Sequence, residues 1–303
     1  MNIKKNLTVL SLAVVLIFVG LIKPAHSALY SDKQLGVRAS GMGGAFVSVA
    51  RNADAVYWNQ ASLALNKKRD LLLMYSDVYG LGIDESYASF SMPYEPEKIG
   101  FGASWYRTSA NLEEGFGSTL KKNDWIDDVF VLGSGMKVSD NLYAGLGLKR
   151  FKIKTDITGS GDVGTSGTGL DFSLLYKKAD FASIPAIDFG FQIRNFMTDL
   201  SGENVDPSYK LGASCNPLDE LLVALEFDYD KDTLDGDYST KYFLGAEYEV
   251  SKEFAVRMGA NDGDFSIGFG VTLQDRITLD YAFEKGLGDL NKDNHRFSFN
   301  MTF

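Results

Sequence analysis

The chain has 303 residues and a formal net charge of −10, with 40 acidic residues against 30 basic residues. This acidic balance argues against nucleic acid as a partner. The single cysteine, Cys215, excludes an internal disulfide framework. The sequence contains 31 Gly, 15 Tyr and 21 Phe but only 6 Pro, a composition that indicates many short β-strands.

Residues 1–27 have the pattern of a cleaved secretory signal. Lys4 and Lys5 give it a positive start, residues 7–22 are almost entirely apolar, and Pro24 precedes small residues at the expected cleavage point. The alternative is a retained anchor helix, but the apolar run of about 16 residues is shorter than the ~20 that span a bilayer. Removal of this segment takes away three lysines and no acidic residue, which changes the net charge from −10 to −13.

Small residues dominate the stretch 36–65, which lacks the alternation of a strand. We predict short helical turns and tight loops there, packed closely against the rest of the chain. The glycines of this stretch permit positive φ angles and close backbone approach. Asn59 is expected to hydrogen-bond its own backbone in a turn, and Asp54 is the expected cap of a short helix over 55–59.

From residue 71 onward the sequence predicts fourteen strands. Along 265–274 large apolar residues alternate with Ser, Gly and Thr, and 277–284 alternates in a similar way. The predicted strands are 71–76, 86–92, 99–107, 128–138, 142–152, 169–177, 186–194, 208–215, 221–229, 241–250, 254–260, 265–274, 277–284 and 296–303. Most of their lengths are close to the ~9–11 residues of a tilted transmembrane strand.

Two architectures fit such strands. A soluble β-sandwich buries its apolar faces, whereas a barrel in lipid turns them outward and fills its lumen with polar and small residues. Connections alternate in length, since 275–276 is short whereas 108–127 and 155–168 are long; outer-membrane barrels have short periplasmic turns and longer external loops. The sequence therefore favours an all-β, 14-stranded antiparallel transmembrane β-barrel in the bacterial outer membrane, with both termini in the periplasm.

The last strand carries a fully aromatic or apolar face up to the final residue. That face consists of Phe297, Phe299, Met301 and Phe303. The pattern is similar to the C-terminal signal strand of bacterial outer-membrane barrels, which their assembly machinery reads. We therefore predict that these four residues serve barrel assembly, with the assembly machinery and outer-membrane lipids as partners.

Two further sets of residues follow from the barrel prediction. Aromatic residues near strand ends are expected to form interfacial girdles; they are Tyr75, Tyr79, Tyr87, Tyr94, Trp105, Tyr106, Tyr229, Tyr242 and Tyr248. Charged residues on the polar faces are expected to pair inside the lumen; they are Glu226, Asp228, Glu247, Glu249, Arg257, Asp280 and Glu284.

Enzymatic chemistry finds little support in the sequence. Once the signal is removed, His295 is the only histidine, and no nucleophile motif accompanies it. The aspartates within 228–237 are spaced somewhat like calcium ligands, but the glycine is displaced and no glutamate closes the loop. We therefore expect no enzymatic activity, no cofactor and no specific metal site.

A family resemblance rests on two runs near the N-terminus. The run 41–47 (Gly-Met-Gly-Gly-Ala-Phe-Val), followed by 54–59 (Asp-Ala-Val-Tyr-Trp-Asn), resembles the N-terminal signature of the PorV/PorQ family. That family is similar to FadL-type outer-membrane barrels, which implies a small plug over 28–66 in the lumen of a barrel over 67–303. Gln60 and Ser62 replace the proline and glycine that usually follow the Trp-Asn pair.

The resemblance implies passage of small hydrophobic molecules across the outer membrane. The alternative is a component of a protein secretion system that binds exported cargo. A purely structural membrane protein and a soluble periplasmic sandwich are two further hypotheses. The plug and ligand-path residues that the resemblance implies are Gly41, Met42, Gly43, Gly44, Phe46, Tyr57, Trp58 and Asn59.

Overall fold

The computed structural model describes residues 34–114, 121–157, 161–181, 184–201, 203–231, 238–262, 264–285 and 293–303. The predicted signal segment and its cleavage point lie outside these residues. None of the helices that the described residues form has the length and apolarity needed to cross a membrane.

Short helices and tight turns make up residues 34–66, here called the N-terminal segment. They are α1 (Val37–Gly41), a 3-10 helix (Asn52–Asp54), α2 (Ala55–Trp58) and a second 3-10 helix (Gln60–Leu65). A further 3-10 helix, Val78–Gly80, follows the first strand. The irregular helical character predicted for 36–65 agrees with these elements.

In the part of the chain that the structure describes, fifteen strands follow the N-terminal segment. They are β1 (Asp70–Asp77), β2 (Ile83–Glu95), β3 (Ile99–Glu114), β4 (Lys121–Lys137), β5 (Leu142–Ile157), β6 (Gly161–Phe181), β7 (Ile184–Leu200), β8 (Glu203–Val205), β9 (Ser208–Leu218), β10 (Leu221–Lys231), β11 (Tyr238–Ser251), β12 (Phe254–Asn261), β13 (Asp264–Leu273), β14 (Ile277–Glu284) and β15 (Asn294–Thr302). Fourteen of them coincide with the fourteen predicted strands, and only the three-residue β8 is additional.

The sheet closes on itself as an antiparallel ring of fourteen strands. Consecutive strands pair along the chain, except that β9 pairs with β7 and not with the short β8, and β1 pairs with β15. The short β8 lies outside the ring order and pairs only with the end of β7. Closure satisfies the backbone groups that would otherwise be unpaired at sheet edges, which a hydrocarbon environment requires.

Polar faces point into the ring and apolar faces point out. In β10, Ala224, Glu226 and Asp228 are buried, whereas Leu225 and Phe227 are exposed. The same outward exposure is found at Leu73, Leu132, Leu146, Leu244, Met258, Phe269, Leu279 and Phe297. This polarity is that of a barrel in lipid and the reverse of a soluble sandwich, so the barrel prediction is confirmed and the sandwich hypothesis is wrong.

Both ends of the barrel chain lie at one rim. The backbones of Arg69 and Phe303 exchange two hydrogen bonds, of 3.1 and 2.9 Å, and the turns at 96–98, 219–220 and 274–276 lie at the same end. We call this end the terminal rim and the opposite end the far rim. An even number of antiparallel strands requires this arrangement.

Several strands reach further toward the far rim than the sequence predicts. β3 continues to Glu114 and β6 begins at Gly161. The prediction of loops over 108–127 and 155–168 is therefore wrong for most of the residues in these two stretches. These stretches lack an alternating apolar face, and pairing with neighbouring strands determines their structure. With 16 to 21 residues each, β3 to β7 exceed the ~9–11 residues that cross a bilayer.

The predicted girdle residues divide into two groups. Exposed positions near a rim are occupied by Tyr75, Tyr94, Tyr229, Tyr242 and Tyr248. Trp105 faces outward and donates its indole N–H to Asp128. Tyr87 and Tyr106 are only 2% and 0% exposed and face the lumen, so their assignment to a girdle is wrong. The side chain of Tyr79 lies outside the described part of the structure.

The last strand, β15, completes the ring. Its eight pairs with β1 run from Asp70–Thr302 to Asp77–His295. Of the four predicted lipid-facing residues, Phe297, Phe299 and Met301 lie on its outer side and Phe303 follows its last residue. Phe297 and Phe303 are exposed, and Phe299 and Met301 are half-buried. Their role in barrel assembly stays a prediction.

Candidate functional site

The N-terminal segment crosses the lumen. Its Gly43 lies against the backbone of Ala260 in β12, whereas the carbonyl of Leu63 lies against Gly100 in β3. β12 and β3 are six strands apart in a ring of fourteen, so these contacts reach nearly opposite walls. Almost every apolar residue of the segment is 5% exposed or less, so the segment fills the space at this level.

A glycine turn brings the segment onto the wall. Gly43 and Gly44 have φ angles of 65° and 86°, which glycine adopts without steric cost. A Cβ on Gly43 would lie 2.5 Å from the nitrogen of Ala260, so the position also excludes a side chain by contact. Next to it, Gly41 lies against Gly268, and Met42 is completely buried. The close approach expected of these glycines is therefore present.

A buried carboxylate of the wall binds the segment backbone. Glu226 Oε2 accepts the N–H groups of Phe46 and Val47 at 2.7 and 2.6 Å. Lys210 Nζ pairs with Glu226 Oε1 at 3.5 Å and also pairs with Asp228. This polar cluster satisfies backbone donors that the irregular turn leaves outside regular secondary structure.

Aromatic rings connect the segment to the side of the wall that lies opposite Glu226. Tyr57 makes edge contacts with Trp58, Tyr87 and Tyr106 at ring-centroid distances of 5.7, 6.4 and 5.9 Å. Phe46 meets Trp58 at 5.6 Å. All five side chains are 2% exposed or less. We call these five residues the aromatic cluster.

Arg194 of β7 extends the aromatic cluster with a cation. Its guanidinium carbon lies 4.1 Å from the ring centroid of Tyr57 and 5.2 Å from that of Trp58. Its Nε donates to Gln192 Oε1 at 2.8 Å, and Gln192 Nε2 donates to the Tyr57 carbonyl at 3.1 Å. A buried cation over two aromatic faces is a favourable pairing, and nothing in the local sequence around Arg194 predicted it.

An ion-pair chain holds α1 to the wall. Arg38 donates to both carboxylate oxygens of Glu247 at 2.8 and 2.6 Å. Arg257 joins Glu247 to Asp280, at 2.5 and 2.6 Å. Arg38 thus binds the carboxylate as a bidentate donor, the stronger geometry for such a pair. The sequence predicted luminal pairing of the three wall residues but not the contribution of Arg38.

The predicted roles of Asn59 and Asp54 have different outcomes. Asn59 Oδ1 accepts the N–H of Ala61 at 3.1 Å and caps the 3-10 helix Gln60–Leu65, so the turn prediction agrees with the structure. Asp54 precedes α2 but its side chain makes no capping hydrogen bond, so that prediction is wrong. Its Oδ1 is buried without a hydrogen-bond partner among the described residues, and burial raises the pKa of Asp54 to about 7.

Most of the predicted luminal charges pair as expected. Glu284 pairs with Arg296, which also binds Glu85. Glu249 has the same parity in β11 as the buried Glu247 but is exposed near the terminal rim, so its luminal pairing stays a prediction. His295 is exposed and its Nδ1 lies 2.8 Å from the hydroxyl of Tyr281. Among the aspartates of the predicted acidic loop, Asp232, Asp235 and Asp237 lie outside the described residues.

The wall is irregular where β7 approaches the far rim. Asn195 and Met197 have φ angles of 58° and 51°, a conformation that costs energy for residues other than glycine. The pairing of β6 with β7 shifts register around Leu170. Met197 is 76% exposed, whereas Asn195 is buried and donates its N–H to Asp171 at 3.0 Å. Alternation along the sequence gave no sign of this bulge.

Comparison with known proteins supports the fold through structure and not through sequence. No protein-family model matches the chain, and neither does any curated protein. The Pseudomonas putida toluene transporter TodX gives a TM-score of 0.64 at 12% identity, over 89% of this chain and 98% of that chain. The Ralstonia pickettii toluene transporter TbuX gives 0.60 at 13%, over 89% and 98%.

A Pseudomonas aeruginosa FadL homologue has a TM-score of 0.57 at 12% identity, over 90% of this chain and 98% of that chain. At such low identities these likenesses establish the fold alone, which is that of the FadL-type transmembrane barrels. The finer resemblance to the PorV/PorQ family stays a prediction.

Proposed function

We propose that this chain is an outer-membrane barrel that passes small hydrophobic molecules, with the N-terminal segment as a plug that closes the lumen at rest. The observation that carries the proposal is the buried segment across the lumen of a barrel with an apolar outer surface. The fold shared with toluene transporters supports the choice of hydrophobic cargo. We place the terminal rim in the periplasm, since exported chains start there and short turns face it.

The plug is held by contacts that a local movement can release. Hydrogen bonds to Glu226, ion pairs to Glu247 and ring contacts join it to the wall. The aromatic cluster offers apolar surface to a passing molecule once Tyr57 and Trp58 shift. The bulge at Asn195 and Met197 lies in the strand that carries Arg194, so movement of the wall there would act directly on the cluster.

Uptake into proteoliposomes tests the proposal. Vesicles contain either the full chain or a variant without residues 36–65, and entry of a fluorescent hydrophobic probe is timed after rapid mixing. We expect faster entry with the variant than with the full chain, and slowest entry in vesicles without protein. Equal rates for both proteins would remove the support for a plug that controls passage.

The alternative is a component of a protein secretion system that binds exported cargo. Its support is the resemblance of residues 41–59 to the PorV/PorQ signature, together with the polar extensions of β3 to β7 beyond a bilayer's thickness, which offer a surface to a protein partner. Crosslinking in cell envelopes discriminates the two functions. Specific capture of a secretion component through the far rim supports the alternative, whereas a solitary barrel with probe uptake supports passage.

A further inference from the structure

A cavity of about 670 Å³ opens at the terminal rim, beneath the N-terminal segment. Leu65 and Tyr143 give it apolar wall, and the turns at 96–98 and 138–141 border it. This volume lies in the range of small-molecule sites, about 300–1,000 Å³. The cavity is separate from the aromatic cluster, and its chemistry is not that of a path for hydrophobic cargo.

Cations outnumber carboxylates in the cavity wall. The charged lining consists of Arg51, Lys67, Lys68, Lys177, Glu97 and Asp140. The chain as a whole has the opposite balance, with a net charge of −10. A positive site within an acidic protein attracts anions locally while the rest of the surface repels them.

Arg51 and Lys177 share one counter-ion. Arg51 Nη2 and Lys177 Nζ lie 2.9 and 3.0 Å from the same atom, Oδ2 of Asp188. The guanidinium of Arg51 is fixed further by the carbonyls of Ser48 and Ala50, at 3.1 and 2.7 Å. One carboxylate cannot neutralise two cations, so a positive charge in excess is held in a defined position facing the cavity.

The lysines at the edge of the cavity make only weak interactions with the protein. Lys67 pairs with Glu97 at 3.1 Å, but both side chains are more than 60% exposed, and exposed pairs contribute little. Lys68 is exposed. Both ammonium groups are therefore available to a ligand without the loss of a buried interaction.

We propose that this cavity binds a small molecule with a phosphate monoester group, placed between Arg51 and Lys177. A phosphate monoester carries about −1.5 to −2 charges at pH 7, which matches the local excess of cations. Arginine and lysine together supply bidentate and single donors to its oxygens. The remaining volume, beside Leu65 and Tyr143, takes the organic part. The proposal is independent of hydrophobic passage.

Calorimetric titration of the full chain in a non-ionic detergent tests the proposal. The probes are glycerol 3-phosphate, inorganic phosphate, and nanodiscs of phosphatidic acid against phosphatidylcholine. We expect saturable binding of glycerol 3-phosphate, weakened by added salt. Binding of phosphatidic acid alone would support the site with a lipid headgroup as its source. Absence of saturable binding to every phosphate probe would overturn the proposal.

Three variants locate the binding. Lys177→Gln removes one of the two fixed cations, and we expect about tenfold weaker binding or more. Lys68→Gln changes only an exposed side chain outside the strands, so it keeps the test valid if Lys177→Gln fails to fold. The matched control is Lys98→Gln, at the same rim but paired with Glu95, for which we expect a change within about twofold. Equal affinities for all three variants and the unmodified chain would overturn the proposal.

Discussion

The guanidinium of Arg194 lies 4.1 Å from the ring centroid of Tyr57, and this pair joins the irregular strand β7 to the N-terminal segment. Both side chains are almost completely buried. The contact thus places a cation from the barrel wall in the centre of the aromatic cluster. It is one of the interactions that must be broken if the segment moves.

The substitution Arg194→Lys tests this contact. Lysine keeps the positive charge but loses the flat guanidinium that covers Tyr57 and Trp58. We expect the segment to be destabilised by about 1–2 kcal/mol, seen as roughly five- to thirtyfold faster hydrogen exchange across α2. Arg150→Lys, on an exposed side chain of β5, is the control and should leave this exchange unchanged. An equal effect of both substitutions would show that the ring contact contributes nothing specific.

Gly43 provides a second test, because two separable effects exclude a side chain there. Gly43→Ala forces alanine into a positive φ angle and pushes its Cβ onto Ala260. The strain costs about 1–2 kcal/mol, and overpacking adds about 1–3 kcal/mol. We expect a lower thermal midpoint in detergent and faster proteolysis of the segment.

Gly82→Ala is the control for a substitution at a positive φ angle outside the N-terminal segment. Gly82 has a φ of 71°, yet no atom lies within 4 Å of its Cβ position. This variant therefore keeps the strain and omits the clash. Proteolysis of the segment should be unchanged in it, and a result equal to that of Gly43→Ala would show that the faster proteolysis reports general destabilisation and not the local packing of Gly43.

Glu226→Ala leaves the N–H groups of Phe46 and Val47 without their acceptor. A buried donor without a partner costs about 1–3 kcal/mol, so we expect strongly increased exchange of these two amides. Lys210 keeps its pairing with Asp228, which limits the damage to the wall. Glu249→Ala on β11 removes an exposed carboxylate and should have no such effect. Retained protection of both amides in Glu226→Ala would show that the carboxylate does not hold the segment.

The buried carboxyl of Asp54 predicts a pH dependence. Burial raises its pKa to about 7, above the ~3.9 of an aspartate in an unfolded chain. The Asp54 carboxyl therefore binds a proton more tightly in the packed segment than in the unfolded segment. Stability of the packing should therefore fall as pH rises from about 4 to about 7 and level off above that. Arg38 opposes the shift, whereas Asp70 adds to it.

The control for this pH dependence is Asp54→Asn, which keeps the shape of the side chain and cannot ionise. Thermal midpoints measured from pH 5 to 8 should fall with pH in the unmodified chain and remain nearly level in the variant. The same slope in both proteins would assign the pH dependence to other groups.

The sequence predicted the barrel because alternation reports directly on its two environments. In β13, Phe265, Ile267 and Phe269 face outward and their small neighbours face the lumen. Alternation also predicts the luminal position of Tyr87 and Tyr106, because they share parity with Ser89 and Ser104, which face the lumen. These two tyrosines were assigned to a girdle from their place near strand ends, without regard to parity.

The wall partners of the N-terminal segment were beyond the reach of local patterns. Phe46 and Glu226 are 180 positions apart, and Arg38 and Glu247 are 209 apart. The glycine-rich run predicted close packing of the segment, yet its partners depend on strand register around the whole ring. The bulge at Asn195 was missed for a related reason, since register with β6 determines it.

The most direct test of the central claim, that the apolar faces meet lipid and the polar faces meet the lumen, is a nitroxide scan along β4 in lipid bilayers. Cys215 is first replaced by serine, and single cysteines at residues 129, 130, 131, 132, 134 and 136 then carry the label. Oxygen accessibility should alternate with period two, highest at Phe130, Leu132 and Met136 and lowest at Val131. Accessibility without alternation, or highest at Val131, would contradict the account.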